Sequence, residues 1–358
     1  MKMRLVSLFN SPASWAKIAR EISVELEKLF DFNYCEQKGF LYKKDLFKKY
    51  ENEHCEKNDF ELLIDHPDNL LKKRQADISI CHFIYEYKEL SQEWINGLQN
   101  MDGIWVPNEY NKNILIENNI TVPILVSPYG SNIKKQKIDY AKKYIQNVFL
   151  FRVIMMPQKR KGIRELVEAF KKEFTKTENA KLQIKIPYNI QKSEWDINIQ
   201  NMIKSANNNI EFIDKIYSEK EIENFIKNAH VYIQPSYSEG FGLSILDSLK
   251  SNVPVIVGET GGHKEFFKGK GGLFINSKIK KMNGILYSDK KKTIEIKTPE
   301  IKDLMKKMRK MYEDREYCVK LAKETEELDL SQYSWKKTAN KIKDFLIDLK
   351  GRRGQTCA

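Results

Sequence analysis

The residues with the clearest chemical potential follow an apolar run, Val231–Gln234, in the segment from Pro235 to Asp247. Two glycines here, Gly240 and Gly242, allow backbone N–H groups to approach an anion without interference from a Cβ atom. Helical periodicity starts directly afterwards, so the positive end of a helix would point at whatever lies above the turn. A phosphate or a diphosphate suits this arrangement, although an ordinary tight strand-to-helix turn has the same glycine spacing.

Two carboxylates flank this glycine turn. Glu239 lies directly before Gly240, and Asp247 lies eight positions after Glu239, within a predicted helix, Leu243–Lys250. With a nucleotide above the turn, one carboxylate would face a sugar attached to the nucleotide and the other would face its ribose. The sequence therefore singles out Glu239 and Asp247 as the acidic members of an expected phosphate-binding site.

The elements that must position this segment follow a regular alternation of short apolar runs and helical periodicity. Such alternation is typical of a parallel α/β sheet. Five apolar residues on one face indicate the helix Ile163–Phe174 most clearly. Strands are predicted at Leu5–Phe9, Glu61–Ile64, Ile78–Phe83, Gly103–Val106, Ile124–Val126, Val148–Ile154, Leu182–Ile186, Ile210–Phe212, Val231–Gln234 and Val253–Val257. Further helices are predicted at Ile18–Leu29, Trp94–Leu98, Tyr110–Ile116, Ser218–Asn228 and Leu243–Lys250.

Length and composition bound the interpretation. A chain of 358 residues predicts two domains, and the lysine-rich stretch Ser131–Lys143 is the predicted linker between them. Hydrophobic residues make up 41%, which excludes wholesale disorder, and no apolar run reaches the roughly 18 residues of a membrane span. The five cysteines are scattered without a Cys-x-x-Cys pair, which favours reduced thiols in the cytoplasm over a disulfide framework or a zinc site.

The charge balance favours anionic partners. There are 62 lysines and arginines against 49 aspartates and glutamates, a formal net charge of +13. Nucleotides, phosphates and anionic lipid all suit this surplus, although the lysine-rich composition of an AT-rich genome would give the same charge. A nucleic-acid partner is not expected, because the sequence has no basic and aromatic motif typical of a nucleic-acid-binding module.

The segment with the two carboxylates and its continuation form one long pattern. The pattern consists of Pro235-Ser236-Tyr237-Ser238-Glu239-Gly240-Phe241-Gly242-Leu243, Asp247, Asn252-Val253-Pro254-Val255 and Thr260-Gly261-Gly262-His263-Lys264-Glu265. It resembles the retaining glycosyltransferases of family four, the glycosyl transferases group one. Further segments resemble the family at Lys161–Phe170, Asp102–Lys112, Pro128–Gly130 and Tyr333–Trp335.

The resemblance implies an α/β protein of the GT-B fold, with two facing Rossmann-like domains built on parallel sheets. Residues 1–143 would form the N-terminal, acceptor-side domain, completed by a C-terminal helix at about 333–350 that crosses back to it. Residues 144–332 would form the domain that binds the nucleotide sugar.

The activity that the resemblance implies is that of a glycosyltransferase, in particular a hexosyltransferase. It would move a sugar with retention from a UDP- or GDP-sugar to a hydroxyl of a glycan, lipid-linked or other acceptor. The implied catalytic residues are Glu239, Lys161 and His82, with His82 on the acceptor side. The implied donor-binding residues are Arg160, Gly240, Phe241, Gly242, Leu243, Asp247, Gly261 and Gly262. No Asp-x-Asp pair presents a metal site, so neither a metal nor a cofactor besides the co-substrate is expected.

Two departures from the family pattern bear on the site. The second carboxylate is Asp247, where the family usually has a glutamate. The family's diphosphate-binding arginine is absent at its expected position, Ile154 or Met155. Lys159 or Arg160 would have to replace it. Because of these departures, a catalytically silent nucleotide-sugar binding protein remains the alternative function.

Any membrane contact is expected to be peripheral and to involve anionic lipid.

Overall fold

The computed structural model describes residues 1–37, 58–65, 76–135, 137–186, 201, 209–285 and 291–356. Within these ranges the chain forms two compact units, and no described helix is long and apolar enough to cross a membrane. Cys35, Cys81 and Cys318 form no disulfide within the described part of the chain. Cys55 and Cys357 lie outside the described residues.

The first unit comprises Met1–Asn132 and Ser331–Ala358. Its strands are β1 (Lys2–Ser7), β2 (Asp31–Glu36), β3 (Asn58–Ile64), β4 (Ala76–His82), β5 (Gly103–Val106) and β6 (Ile124–Val126). Its helices are α1 (Ser14–Leu26), α2 (Gln92–Gln99), α3 (Glu109–Glu117) and the C-terminal α10 (Trp335–Thr356). The strands form one parallel sheet in the order β2-β1-β3-β4-β5-β6.

The C-terminal helix α10 packs against the sheet of this first unit through close contacts at two glycines. A Cβ atom at Gly130 would lie 2.2 Å from the Trp335 backbone nitrogen, and one at Gly103 would lie 2.7 Å from the Phe345 ring. The Trp335 ring also stacks on Tyr129, with centroids 5.9 Å apart. The end of the chain therefore completes the core of the N-terminal unit.

The second unit comprises Ile133–Leu330. Its strands are β7 (Phe149–Ile154), β8 (Ala180–Ile186), β9 (Ile210–Asp214), β10 (Val231–Gln234), β11 (Val255–Gly258), β12 (Gly272–Ile275), β13 (Ser277–Met282) and β14 (Ile294–Pro299). Its helices are α4 (Tyr140–Tyr144), α5 (Ile163–Glu173), α6 (Glu219–Lys227), α7 (Leu243–Lys250), α8 (Ile301–Glu313) and α9 (Arg315–Glu326). Six strands form a parallel sheet in the order β12-β11-β10-β7-β8-β9, and β13 pairs with β14 separately.

Local sequence signals account for the helices that flank this second sheet. Helix α5 buries the predicted apolar face, with Leu166, Val167 and Phe170 at most 1% exposed. Helix α6 begins at a capping box, in which Ser218 and Glu221 satisfy each other's backbone N–H groups. These two helices flank the sheet whose strand β10 leads into the segment 235–247.

The predicted strands and helices are all present, with bounds that shift by a few residues. The limit between the two units lies inside the predicted linker Ser131–Lys143, and helix α4 begins within this stretch at Tyr140, capped by Asp139. The two units divide at Asn132, whereas the sequence placed the limit at residue 143. Strands β2 and β12 and helices α8 and α9 were not among the predicted elements, and the pair β13 and β14 lies in a lysine-rich stretch for which no strand was predicted.

Candidate functional site

The order of strands in the second sheet creates a place for a ligand. The chain passes from β7 to β8 on one side and returns to β10 on the other side of β7. In an open parallel sheet, ligands bind outside the carboxyl ends of the strands at such a reversal of strand order. The segment 235–247, which directly follows β10, starts at this position.

The loops after β7 and β10 are in direct backbone contact. The Tyr237 N–H donates to the Arg160 carbonyl oxygen at 2.8 Å. Gly162 has a φ of 69°, and a Cβ atom there would lie 2.1 Å from the Pro235 carbonyl oxygen, so only glycine is accommodated. The contact fixes the short helical turn Lys159–Lys161 beside the segment that follows β10.

The loop after β11 meets the same segment from the other side. Glu239 and Gly261 form a parallel β-bridge, and the Gly262 N–H donates to the Glu239 carbonyl oxygen at 2.8 Å. Gly261 has a φ of 128°, and a Cβ atom there would lie 2.1 Å from the Glu239 carbonyl oxygen. Three neighbouring strand ends therefore converge on Glu239.

The Glu239 carboxylate is the centre of a dense set of hydrogen bonds. Its Oε1 atom accepts from Lys161 Nζ at 2.6 Å, Gln234 Nε2 at 2.6 Å and Ser236 Oγ at 2.5 Å. Burial raises the pKa of Glu239, but the charges of Lys161 and Arg160 and the hydrogen bonds from Lys161 and Ser236 outweigh it and lower the pKa to about 2. The carboxylate is 5% exposed and stays ionised at neutral pH.

The glycine turn lies at the start of helix α7, as the sequence predicts. Gly242 is the N-cap residue with a φ of 88°, and no side chain caps the helix. The first-turn N–H groups of Leu243 and Ser244 therefore lie at the positive end of the helix, where anions bind. Gly240 is buried, and the Phe241 ring packs on Phe266 with centroids 5.4 Å apart.

Asp247 lies one turn further along α7, four residues after Leu243, and is 5% exposed. Its charge raises the pKa of Lys250, against a larger lowering by burial. Asp247 is thus a second carboxylate in the unit that contains Glu239, as the spacing predicts.

The two basic residues that precede Lys161 have different surroundings. Lys159 is exposed, and its ammonium group donates to the Asn283 carbonyl oxygen at 3.1 Å, next to strand β13. Arg160 is half-buried, and its charge contributes to the low pKa of Glu239. The structure therefore brings Arg160, rather than Lys159, to the carboxylate.

His82 belongs to the first unit, as the last residue of β4. It is 3% exposed, its Nε2 atom lies 2.5 Å from the Tyr129 hydroxyl, and its ring packs edge-on against Trp105. Burial lowers the pKa of His82 to about 3, so the imidazole is neutral at physiological pH. The structure surrounds this residue with aromatic side chains, and its catalytic role stays a prediction.

Three polar residues of the second unit were missed by the sequence reasoning. Gln234 ends the apolar strand β10 and bonds Glu239, and Ser244 Oγ donates to Gln234 Oε1 at 2.9 Å. His263 is 1% exposed, with its Nε2 atom 2.8 Å from the Gly258 carbonyl oxygen, and burial lowers its pKa. A polar residue at the carboxyl end of a buried strand is the signal that could have indicated Gln234.

No group of three or more His, Cys, Asp or Glu side chains in the described part of the chain is arranged to hold a metal ion. The charges that the site does offer are the ammonium of Lys161, the guanidinium of Arg160 and the positive end of α7.

Comparison with known proteins identifies the family. A sequence model of the family described as "Glycosyl transferases group 1" matches residues 146–328, about half of the chain. The chain belongs to this family. It is therefore a glycosyltransferase, and the matched range contains all the predicted donor-binding residues. A stretch of 61 residues is 33% identical to Protein CapJ of Staphylococcus aureus, but it covers only 17% of this chain and 16% of that relative.

Solved glycosyltransferase structures share the fold over nearly the whole chain. Sucrose-phosphate synthase from Thermosynechococcus elongatus is 14% identical, with a TM-score of 0.70 over 98% of this chain and 100% of that one. Anabaena HepE in complex with UDP-glucose is 13% identical, with a TM-score of 0.73 over 97% of this chain and 100% of that one. The predicted GT-B fold, with its two parallel sheets and C-terminal helix, is confirmed.

Proposed function

We propose that this group 1 glycosyltransferase transfers a sugar, with retention of its anomeric configuration, from a nucleoside-diphosphate sugar to an acceptor hydroxyl. The bond between the anomeric carbon and the diphosphate breaks, and its electron pair leaves with the diphosphate. The acceptor oxygen forms the new bond on the same face of the sugar, and its proton passes to the departing diphosphate. Hexoses carried by UDP or GDP are the donors expected from the resemblance.

The observation that carries this proposal is the buried Lys161–Glu239 pair at the carboxyl ends of β7 and β10. Its nitrogen-to-oxygen distance is 2.6 Å, and both side chains are largely buried. The Lys161 ammonium, with Arg160 beside it and the first-turn N–H groups of α7, supplies positive charge for a departing diphosphate. Such preorganised groups act on charge that develops in the transition state, which is the role proposed for Lys161.

The remaining roles follow from placement in the same unit. Glu239 is proposed to face the transferred sugar, and Gly261 and Gly262, which contact its backbone, are proposed to line the sugar subsite. Asp247 is proposed to accept hydrogen bonds from the ribose hydroxyls. Arg160 is proposed to replace the family's diphosphate-binding arginine, because its charge already acts on Glu239.

The acceptor is proposed to be a glycan or a lipid-linked hydroxyl compound that binds the N-terminal unit, with His82 on that side. Two neighbours support sugar-nucleotide and glycan partners: HepE was solved with UDP-glucose, and S. aureus TarM with Fondaparinux, alpha-GlcNAc-glycerol and UDP. Any membrane attachment is proposed to be peripheral, carried by basic residues on anionic lipid at about 1 kcal/mol for each well-placed lysine or arginine.

The proposal is tested by a panel of UDP- and GDP-sugars. A donor at about a hundred times its Kd should add about 2.7 kcal/mol to the free energy of unfolding, which a thermal-shift screen detects. The donor identified in this way is then assayed for transfer to glycan and lipid-linked acceptors, in excess chelator and in magnesium. Equal rates in both are expected. Binding without turnover on any acceptor would contradict the proposal, and a collapse in chelator that magnesium restores would contradict its metal independence.

A further inference from the structure

The geometry points to Gln234 as a positioning residue that holds the Glu239 carboxylate in place while Lys161 turns to the diphosphate. This inference rests on the proposed function, because it assumes that Lys161 serves the leaving group and Glu239 the sugar. Gln234 touches neither ligand in this scheme. It acts only through Glu239.

The side-chain oxygen of Gln234 accepts hydrogen bonds from two hydroxyl groups. It is the last residue of β10 and 3% exposed, and Tyr232 lies two residues earlier on the same face of the strand. Its Oε1 atom lies 2.9 Å from Ser244 Oγ and 3.2 Å from the Tyr232 hydroxyl oxygen. These contacts fix the amide before any ligand binds.

The orientation of the amide follows from the charge of its neighbour. An ionised carboxylate can only accept hydrogen bonds, so the NH₂ group of Gln234 must face Glu239 and the amide oxygen must face the hydroxyls. The observed 2.6 Å from Gln234 Nε2 to Glu239 Oε1 is short, as expected of a hydrogen bond to a charged acceptor. Gln234 is therefore a fixed donor aimed at one carboxylate oxygen.

All three side-chain donors that reach this carboxylate meet at the same oxygen. Lys161, Gln234 and Ser236 all donate to Oε1 of Glu239, and no hydrogen bond to Oε2 is found among the described residues. The free oxygen is the one available to a sugar hydroxyl. If Lys161 were the only restraint, its movement toward a diphosphate would release the carboxylate, whereas Gln234 and Ser236 keep Oε1 anchored.

The first test replaces Gln234 with leucine, which keeps the bulk of the side chain and removes the donor. With the UDP- or GDP-sugar that the wild type turns over, Gln234→Leu should lower kcat roughly 10- to 100-fold, the range expected for a lost hydrogen bond to a charged group. The Kd of UDP or GDP, measured by calorimetry, should stay within about twofold. This separation of kcat from binding distinguishes positioning from general damage to the site.

The second test replaces Gln234 with glutamate, which has the same shape but can donate a hydrogen bond only when it is protonated. A protonated Glu side chain at 234 would donate to Glu239 as the amide does, so Gln234→Glu should approach wild-type kcat at low pH. Ionisation would place two like charges in hydrogen-bond contact, so kcat should fall as the pH rises. Recovery at low pH also shows that the site is folded, which covers the case in which Gln234→Leu folds poorly.

The matched control is Gln183→Glu in the same unit. The Gln183 amide likewise bridges a carboxylate and a donor, with Nε2 at 2.7 Å from Glu211 Oε2 and Oε1 at 2.6 Å from Arg152 Nε. This variant should keep the wild-type pH profile. The inference would be overturned if kcat of Gln234→Glu depended on pH as it does in the wild type and in Gln183→Glu. It would also be overturned if Gln234→Leu had an unchanged kcat. Either result would leave the proposed function standing. Absence of turnover by the wild type with every UDP- and GDP-sugar would overturn the proposed function and the inference with it.

Discussion

The carboxyl ends of the two parallel sheets each hold a glutamate, and the pKa values of these two glutamates are shifted in opposite directions. In the second unit Glu239 has a pKa of about 2, because the charges of Lys161 and Arg160 outweigh its burial. In the first unit Glu36 ends β2 and has its pKa raised to about 7, because burial outweighs the hydrogen bonds from Asn10. Glu239 is therefore negatively charged throughout the physiological pH range, whereas Glu36 loses its negative charge near neutral pH.

The difference lies in which cations reach the acid. The charges of Lys161 and Arg160 both lower the pKa of Glu239, and Lys161 is in direct contact with it. The charge of Arg20 lowers the pKa of Glu36 only slightly. The Arg20 guanidinium group donates instead to the carbonyl oxygens of Phe9 and Ser11. His82 adds no charge to the first unit, since burial keeps it neutral. The cations beside Glu239 suit a diphosphate, which agrees with the donor-binding role proposed for the second unit.

The largest effect is expected when the charge at the second edge is removed. Glu239→Gln keeps an oxygen that accepts from its neighbours but removes the negative charge proposed to face the sugar. We expect kcat to fall roughly 100-fold or more, in the range known for a lost transition-state group, with little change in donor Kd.

The control for this prediction is Glu211→Gln. Glu211 also contacts a lysine and a glutamine, Lys181 at 3.0 Å and Gln183 at 2.7 Å, but on strands β8 and β9. Glu211→Gln should leave kcat unchanged. Loss of donor binding by Glu239→Gln, with a normal single-turnover rate at saturating donor, would show that its proposed role is wrong.

A smaller effect is expected at Asp247, which is proposed to act on the ribose in the ground state. Asp247→Asn should weaken donor binding by roughly 10-fold, the loss expected for a hydrogen bond to a charged group, and leave kcat at saturating donor nearly unchanged. Asp247→Glu, which restores the residue usual in the family, should bind donor equally or more tightly. Calorimetry with UDP and GDP measures both, and a reduced kcat with normal donor Kd in Asp247→Asn would contradict this role.

Acid should distinguish the two units through their stability rather than through activity. In the second unit, burial lowers the pKa of His230 to about 4 and also lowers that of His263, so unfolding takes up protons below pH 6.5. In the first unit, His82 acts in the same direction, but Glu36 with its raised pKa is protonated first in the folded state and offsets it. Acidification from pH 6.5 to 5 should therefore destabilise the second unit by about 1.4 kcal/mol per pH unit through His230, with a further loss through His263, and leave the first nearly unchanged.

Hydrogen exchange, which reports opening of each unit separately, measures this difference. Glu36→Gln removes the offset, so the first unit should then also lose stability between pH 6.5 and 5. Equal losses in both units of the wild-type protein would contradict the assignment of charges.

The fold was largely predictable because its signals are local. The apolar face of α5 and the glycine at the start of α7 are fixed by neighbours within a few residues, and both lie where the sequence places them. Strand β2 was missed because it is an edge strand with no buried residue, and polar and hydrophobic residues are equally numerous in its sequence, Asp31–Glu36. The pair β13 and β14 was missed because lysines on its exposed face hide the buried Ile294 and Ile296.

The contacts within the site were less predictable because they join distant segments. The sequence indicated Glu239 and Lys161 separately, but their ion pair spans 78 positions and depends on β7 and β10 being neighbours. Spacing alone cannot show that three donors share one oxygen of Glu239. The neutral state of His82 depends on burial against Tyr129 and Trp105, which only the packed unit creates.

The central claim is that the charged edge of the second unit binds a nucleoside diphosphate through Lys161. Calorimetric titration of UDP and GDP into the wild type, Lys161→Ala and Lys181→Ala tests it, because Lys181 is also paired with a glutamate, at 3.0 Å. The account predicts that Lys161→Ala weakens the Kd of the nucleotide that the wild type binds by roughly 10- to 100-fold, while Lys181→Ala does not. Equal Kd values in all three proteins, or no binding of either nucleotide by the wild type, would contradict it.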